Sequence, residues 1–214
     1  MSMDTLLTEV WKAWHTHNGW MAWNLFLASI PLALSFWLFR SKSGLHSGLW
    51  WIGLAVFILF LPNAPYLLTD VIHLIEAIRR NYSVWTITLV LIPQHVLVIL
   101  TGFEAYVLSV INLGEYLQRR RLGKLVFSAE LITHALCAFG IYLGRFQRFN
   151  SWDLVAQPNS LVKGMIDDLT SKGPLLVMAV TFVVLTVFYW IMKQITLGII
   201  IRMRHQPSGS AASR

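Results

Sequence analysis

The chain has 214 residues, of which 56% are hydrophobic and only 13% are charged. A soluble domain carries about 25% charged residues, so this composition excludes an ordinary soluble protein. The net charge of +7 comes from basic residues gathered near the ends of apolar runs. That distribution is typical of membrane topology, and nucleic acid is therefore not an expected partner.

Apolar runs long enough to cross a bilayer as helices recur along the whole chain. Backbone groups inside lipid must bond within their own segment, and no run shows the alternation of a barrel strand. We therefore predict an all-α membrane protein with about five transmembrane helices and one or two interfacial helices. The predicted spans are residues 21–39, 49–61, 84–113, 122–143 and 174–202.

The two ends of the chain differ from this bundle. In residues 1–20, apolar side chains recur at helical spacing, and tryptophans such as Trp11 and Trp14 favour the headgroup boundary. An amphipathic segment on the membrane surface is predicted there. Residues 21–202 form the predicted transmembrane bundle, and the small polar residues of 203–214 predict a disordered tail.

Residues 60–74, FLPNAPYLLTDVIHL, follow the second apolar run and interrupt its helical pattern. Pro62 and Pro65 fix their own φ angles and lack backbone donors, so a break is predicted there, near the membrane surface. The next helix, residues 66–79, is too short and too polar to cross alone, which predicts an interfacial position. Pro93 predicts a kink in the long third span.

Within that central stretch, Asp70 and His73 are three residues apart, so one helix face would carry a carboxylate beside an imidazole. An alternative interpretation assigns Asn63 and Asp70 to helix capping and leaves His73 as a hydrogen-bonded structural residue. The sequence does not decide between these two roles.

The lysines and arginines indicate an orientation. Nine fall on one side of the predicted bundle, in two short loops and the tail, and seven fall on the other side, in longer segments with most of the acids. Because basic residues concentrate in short cytoplasmic loops, the amino terminus is predicted outside and the carboxyl terminus in the cytoplasm. The central stretch would then face outward.

Three segments carry a family resemblance: WNLFLASIP, NAPYLLTD followed by IHL, and GIYLGRFQRFNSWD. Together they resemble an uncharacterised family of bacterial multi-spanning membrane proteins known only as domain of unknown function 1361. The likeness extends from about residue 23 to the last span. It implies an integral protein of the bacterial cell membrane, and it implies no particular activity.

Several ionisable residues lie within the predicted spans. His95 is about eleven residues into the third span, or about 16 Å deep, and His134 reaches a similar depth in the fourth. Such residues usually face a bundle interior or a wet cavity and mark function. The candidate polar site comprises Asn63, Asp70, His73, His95, Glu104 and His134.

Imidazoles and carboxylates suit zinc or another divalent metal, which makes such an ion the possible cofactor. The hypothetical ligands are Asp70, His73, His95 and His134, although no HExxH or paired CxxC motif supports them. The alternative is that the histidines bond to helix carbonyls or to each other.

A second candidate site follows the fourth span, where Arg145 and Arg148 are three residues apart. Two arginines beside interfacial aromatic residues suit an anionic lipid headgroup. The alternative is that they end the helix, where its dipole favours cations.

Three functions remain open from the sequence. The first is an enzyme, with or without a metal ion, acting on a lipid or lipid-linked substrate from the outer face. The second is a non-catalytic protein that binds a lipid, a pigment or a partner membrane protein, or that assists assembly. Transport is the third. Membrane lipids are the expected partners in each case.

Overall fold

The computed structural model describes residues 3–41, 47–80, 82–146 and 172–205. Every regular element in these residues is a helix, as the sequence predicts. Five described stretches are long and apolar enough to cross a membrane, which confirms the predicted span count. They are Met3–Arg40, Gly48–Ile78, Val84–Arg119, Gly123–Phe146 and Lys172–Arg204.

The first helix, α1, is continuous from Met3 to Arg40. The predicted boundary at residues 20 and 21, between a surface segment and the first span, is not a helix end. Gly19, the residue near that boundary least favourable to helix, costs only about 1 kcal/mol relative to alanine. The helix-forming residues on both sides outweigh that cost.

The central stretch bends without leaving helical geometry. Leu61 and Pro62 form a turn, yet their φ angles of −55° and −59° are right-handed helical values. Proline is tolerated at the start of a helix, where backbone donors have no intrahelical acceptor, so the prolines end one helix and begin the next. The elements are α2 (Gly48–Phe60), α3 (Asn63–Tyr66), a 3-10 turn (Leu67–Asp70) and α4 (Val71–Ile78).

The third span contains the predicted irregularity beside Pro93. A π-helical stretch, Ile87–Leu91, lies between α5 (Val84–Thr86) and α6 (Ile92–Arg119). Proline lacks an N–H and clashes with the carbonyl four residues back, and a locally widened helix relieves that clash.

Two further helices complete the described bundle: α7 (Val126–Phe146), after a 3-10 turn at Gly123–Leu125, and α8 (Lys172–His205). Both continue a few residues beyond the predicted spans. Residues 203–205, assigned to the tail from sequence, belong to α8. A second interfacial helix, which the helical spacing of apolar residues in 161–169 predicts, lies outside the described residues.

Two glycines let neighbouring helices approach the central stretch closely. A Cβ added to Gly140 of α7 would lie 2.6 Å from Cγ of Pro62, and one added to Gly102 of α6 would lie 2.8 Å from Cδ2 of Leu67. Real side chains are not found at these distances, so only glycine fits without a shift. Because small residues within membrane spans usually mark helix contacts, the sequence predicts both glycines to be packing points, and the structure confirms this.

One end of the bundle is marked by polar contacts among α1 and α6. The Arg40 guanidinium donates to Oδ1 of Asn112, and Asn112 in turn donates to the hydroxyl of Ser35. The Arg119 guanidinium donates to the carbonyl of Phe39. These charged residues identify one membrane boundary, and the buried aromatic core begins directly inside it.

Candidate functional site

Asp70 lies at the end of the 3-10 turn, and its side chain is only 1% exposed. Nη2 of Arg145 donates to its Oδ1 at 2.7 Å, and Nδ2 of Asn24 donates to its Oδ2 at 3.2 Å. Both carboxylate oxygens therefore accept hydrogen bonds, as a buried charge requires. The capping alternative is wrong for Asp70, because its side chain makes no capping bond to α4.

Arg145 is held on several sides. Its Nε and Nη2 atoms donate to the hydroxyl of Thr69 at 3.1 and 2.5 Å, and its guanidinium carbon lies 4.5 Å from the centre of the Tyr66 ring. The arginine side chain is 18% exposed. Within the described residues, Nη1 has no hydrogen-bond acceptor. The guanidinium is thus fixed in orientation with one nitrogen still available.

The three segments that carry the family resemblance meet at this point. WNLFLASIP contributes Asn24, NAPYLLTD contributes Tyr66, Thr69 and Asp70, and GIYLGRF contributes Arg145. We call these five residues the outer cluster, after the orientation that the sequence predicts. The predicted site did not include Asn24, Tyr66 or Thr69. The sequence signal that could have identified them is that all three lie in segments that carry the family resemblance.

His73 confirms the predicted shared face with Asp70. Its Nε2 lies 3.9 Å from Oδ1 of Asp70, and its Nδ1 lies 3.4 Å from Oε2 of Glu76. The His73 ring packs against Trp20, with ring centres 4.7 Å apart, and its side chain is 37% exposed. The imidazole is therefore partly exposed, with a carboxylate near each of its nitrogens.

The other predicted histidines lie apart from the outer cluster. Nδ1 of His95 is 2.7 Å from the carbonyl oxygen of Leu91, and its ring faces Trp20 from 5.9 Å. His134 is buried, bonded to the Tyr106 hydroxyl, and packed against Tyr189 at 4.6 Å. The His95 contact is of the kind that the structural alternative describes, a bond to a helix carbonyl, whereas His134 has a tyrosine hydroxyl as its partner.

The remaining predicted residues have separate surroundings. The Asn63 amide donates to the carbonyl of Phe60 at 2.9 Å, so this side chain covers the end of α2. Glu104 accepts a hydrogen bond from Thr196 of α8 at 2.7 Å. Arg148 lies outside the described residues.

The described residues contain no group of three or more His, Cys, Asp or Glu side chains able to hold one metal ion. Asp70 and Glu76 face opposite nitrogens of His73, so one ion could not join all three. Trp20 contacts both His73 and His95. The geometry gives no support to the hypothetical site of Asp70, His73, His95 and His134.

The depth of the outer cluster follows from α1. Asn24 is 16 residues from Arg40, or about 24 Å along an upright helix at 1.5 Å per residue. The hydrocarbon core is about 30 Å thick, so the cluster lies just inside the boundary opposite Arg40. Lys12 is about 42 Å from Arg40 on the same scale, which matches a bilayer with its headgroups. An upright α1 would therefore place the cluster close to the level of the lipid phosphates.

Comparisons with curated proteins and with solved structures find no match to this chain. A family match does exist, and it covers residues 23–187, including all five residues of the outer cluster. The family is described as "Protein of unknown function (DUF1361)", and its description assigns no activity. Because the match extends over most of the sequence, the chain belongs to this family of proteins of unknown function, DUF1361.

Proposed function

We propose that this integral membrane protein binds the anionic headgroup of a lipid or lipid-linked molecule at the outer cluster. The observation that carries the proposal is the fixed orientation of Arg145, held by Asp70, Thr69 and the Tyr66 ring. An arginine fixed in this way loses little side-chain freedom when an anion binds, and its planar fork suits phosphate and carboxylate oxygens.

Asp70 stabilises the guanidinium of Arg145 when no anion is bound. An unpaired guanidinium inside the hydrocarbon boundary would be costly, and the carboxylate offsets that cost when no ligand is present. An anion bound at Nη1 would leave the Asp70 contact in place, since Asp70 uses Nη2. His73, beside Asp70, adds a donor when it is protonated.

The proposal includes an orientation, with the outer cluster facing away from the cytoplasm. The density of basic residues in the short loops and tail supports it. We expect a reporter fused after Arg204 to be active only in the cytoplasm and one inserted at Gln157 to be active only outside. The opposite pattern in both fusions would reverse the orientation and place the cluster at the cytoplasmic leaflet.

Lipid binding is tested by mass spectrometry of lipids that remain bound to the folded, monodisperse protein in mild detergent. We expect about one anionic phospholipid per wild-type chain, and a loss of at least about tenfold in Arg145→Gln, because the charge-assisted hydrogen bond from Nη1 disappears. Arg145→Lys should retain part of the lipid, because lysine keeps the charge but lacks the planar fork.

The matched control is Arg80→Gln, which removes an exposed arginine outside the outer cluster. It should leave the bound lipid unchanged. Equal lipid in Arg145→Gln and Arg80→Gln would contradict headgroup binding at Arg145.

Catalysis on the bound molecule is a second candidate, supported by the exposed imidazole of His73 beside the Asp70 carboxylate. A histidine in this position could transfer a proton to or from a bound headgroup. The same lipid extracts distinguish the two functions. An enzyme would convert added lipid to a product of different mass, and His73→Gln would abolish conversion while preserving binding.

A further inference from the structure

A cavity of about 810 Å³ lies between α1, α6 and α8, away from the outer cluster. Its volume is within the range of small-molecule sites in proteins. Its lining is almost entirely apolar, from residues such as Leu25, Leu108 and Ile199. The polar side chains in the lining are Ser29, Thr101, Glu104 and Thr196.

These polar side chains offer acceptors to the cavity. The Ser29 and Thr101 hydroxyls donate to carbonyl oxygens of their own helices, at 2.6 and 2.7 Å. The Thr196 hydroxyl donates to Oε1 of Glu104 at 2.7 Å. With their hydrogens already used, the hydroxyls have only lone pairs left for a ligand. A matching ligand must therefore bring hydrogen-bond donors.

Glu104 adds a requirement for charge. Its Oε2 atom is buried and has no hydrogen-bond partner among the described residues. Lys193, three residues before Thr196 on α8, contacts Glu130 instead, so its cation is already paired. An ionised carboxylate that has, within the described helices, only one neutral donor and no neighbouring cation is expensive in this setting, and a cationic ligand would offset the cost.

We infer that this cavity binds a hydrophobic amine, with the ammonium group at Glu104 and the hydrocarbon part along the apolar lining. The ammonium supplies hydrogen-bond donors for the lone pairs of the hydroxyls and a positive charge for the carboxylate. A long-chain alcohol would supply a hydrogen-bond donor but no positive charge, and an acyl chain would supply neither. The cavity should therefore bind a long-chain amine more tightly than a long-chain alcohol.

The test uses dodecylammonium and dodecanol with the full chain in phosphatidylcholine nanodiscs, measured by equilibrium binding. We expect saturable binding of dodecylammonium, weakened at least about tenfold in Glu104→Gln, because a charged hydrogen bond is replaced by a neutral one. Thr196→Val should weaken binding less, and Glu104→Asp should retain most of it. Dodecanol should bind weakly and alike to wild type and Glu104→Gln.

Glu115→Gln is the matched control, since Glu115 lies on the same helix, does not line the cavity, and is 43% exposed. It should bind dodecylammonium as the wild type does. Binding that is not saturable, or that is equally strong in Glu104→Gln and Glu115→Gln, would overturn the inference. Arg145 has no part in this site, so a failure here leaves headgroup binding at the outer cluster unaffected.

Discussion

Replacing Asp70 by asparagine should lower the free energy of unfolding by about 3–5 kcal/mol, because Arg145 would remain buried without its carboxylate. The reverse replacement, Arg145→Gln, should cost a similar amount, since Asp70 would keep only Asn24 as a donor partner. The double variant Asp70→Asn/Arg145→Gln should lose less than the two single losses combined, because no unpaired charge remains. Unfolding in a denaturing detergent measures all three.

The control pair is Arg40 and Glu115 at the opposite end of the bundle. Their closest charged atoms are 3.9 Å apart, and the side chains are 47% and 43% exposed. Glu115→Gln should therefore cost less than about 1 kcal/mol. If Asp70→Asn costs no more than Glu115→Gln, the buried pair does not stabilise the fold as described.

The second large effect is expected at Glu130 and Lys193, which connect α7 to α8 inside the membrane. Nζ of Lys193 contacts Oε1 of Glu130 at 2.5 Å, and the Tyr189 hydroxyl donates to the same oxygen at 2.9 Å. The two charged side chains are 24% and 13% exposed. Lys193→Met should therefore destabilise the protein by about 3–5 kcal/mol, because Glu130 loses its cation.

The double variant Glu130→Leu/Lys193→Met should recover most of that loss, since an apolar pair suits the bundle interior. Arg202→Gln, an exposed position near the end of α8, is the control and should have little effect. A double variant as unstable as Lys193→Met would show that apolar side chains cannot replace the pair. Unfolding in the same detergent assay provides the comparison.

The sequence predicted the elements that depend on composition and local spacing. Five long apolar stretches were predicted and are present, and the three-residue spacing of Asp70 and His73 gives the expected shared face. The close packing at Gly102 and Gly140 was also predicted, because small residues in spans usually mark helix contacts.

Partners between helices could not be predicted, because depth along a helix does not specify which neighbour a side chain faces. Lys193 is a single charge within the last apolar run, and the sequence indicates no partner for it, yet it pairs with Glu130 from another helix. His95 and His134 have similar predicted depths, but one faces Trp20 and the other faces Tyr106 and Tyr189. The metal hypothesis joined these histidines to Asp70 and His73 only through their predicted depth and their predicted shared side of the membrane.

The outer cluster could not be predicted for a different reason. Asp70 looked like a helix cap because it precedes α4, and a capping residue and an ion-pair residue look identical in one sequence. Only the packing of α7 beside the 3-10 turn places Arg145 within 2.7 Å of Asp70. The first helix, α1, is likewise continuous across the boundary predicted at residues 20 and 21, and it packs against α6.

The most direct test of headgroup binding is the lipid content of the double variant Asp70→Asn/Arg145→Gln. This protein keeps neutral hydrogen-bonding groups at both positions and avoids the unpaired charge of either single variant. The account predicts a folded, monodisperse protein that has lost its bound anionic phospholipid, measured against wild type and Arg80→Gln. A folded double variant that retains as much anionic phospholipid as the wild type would contradict it and would leave Asp70 and Arg145 as a structural pair.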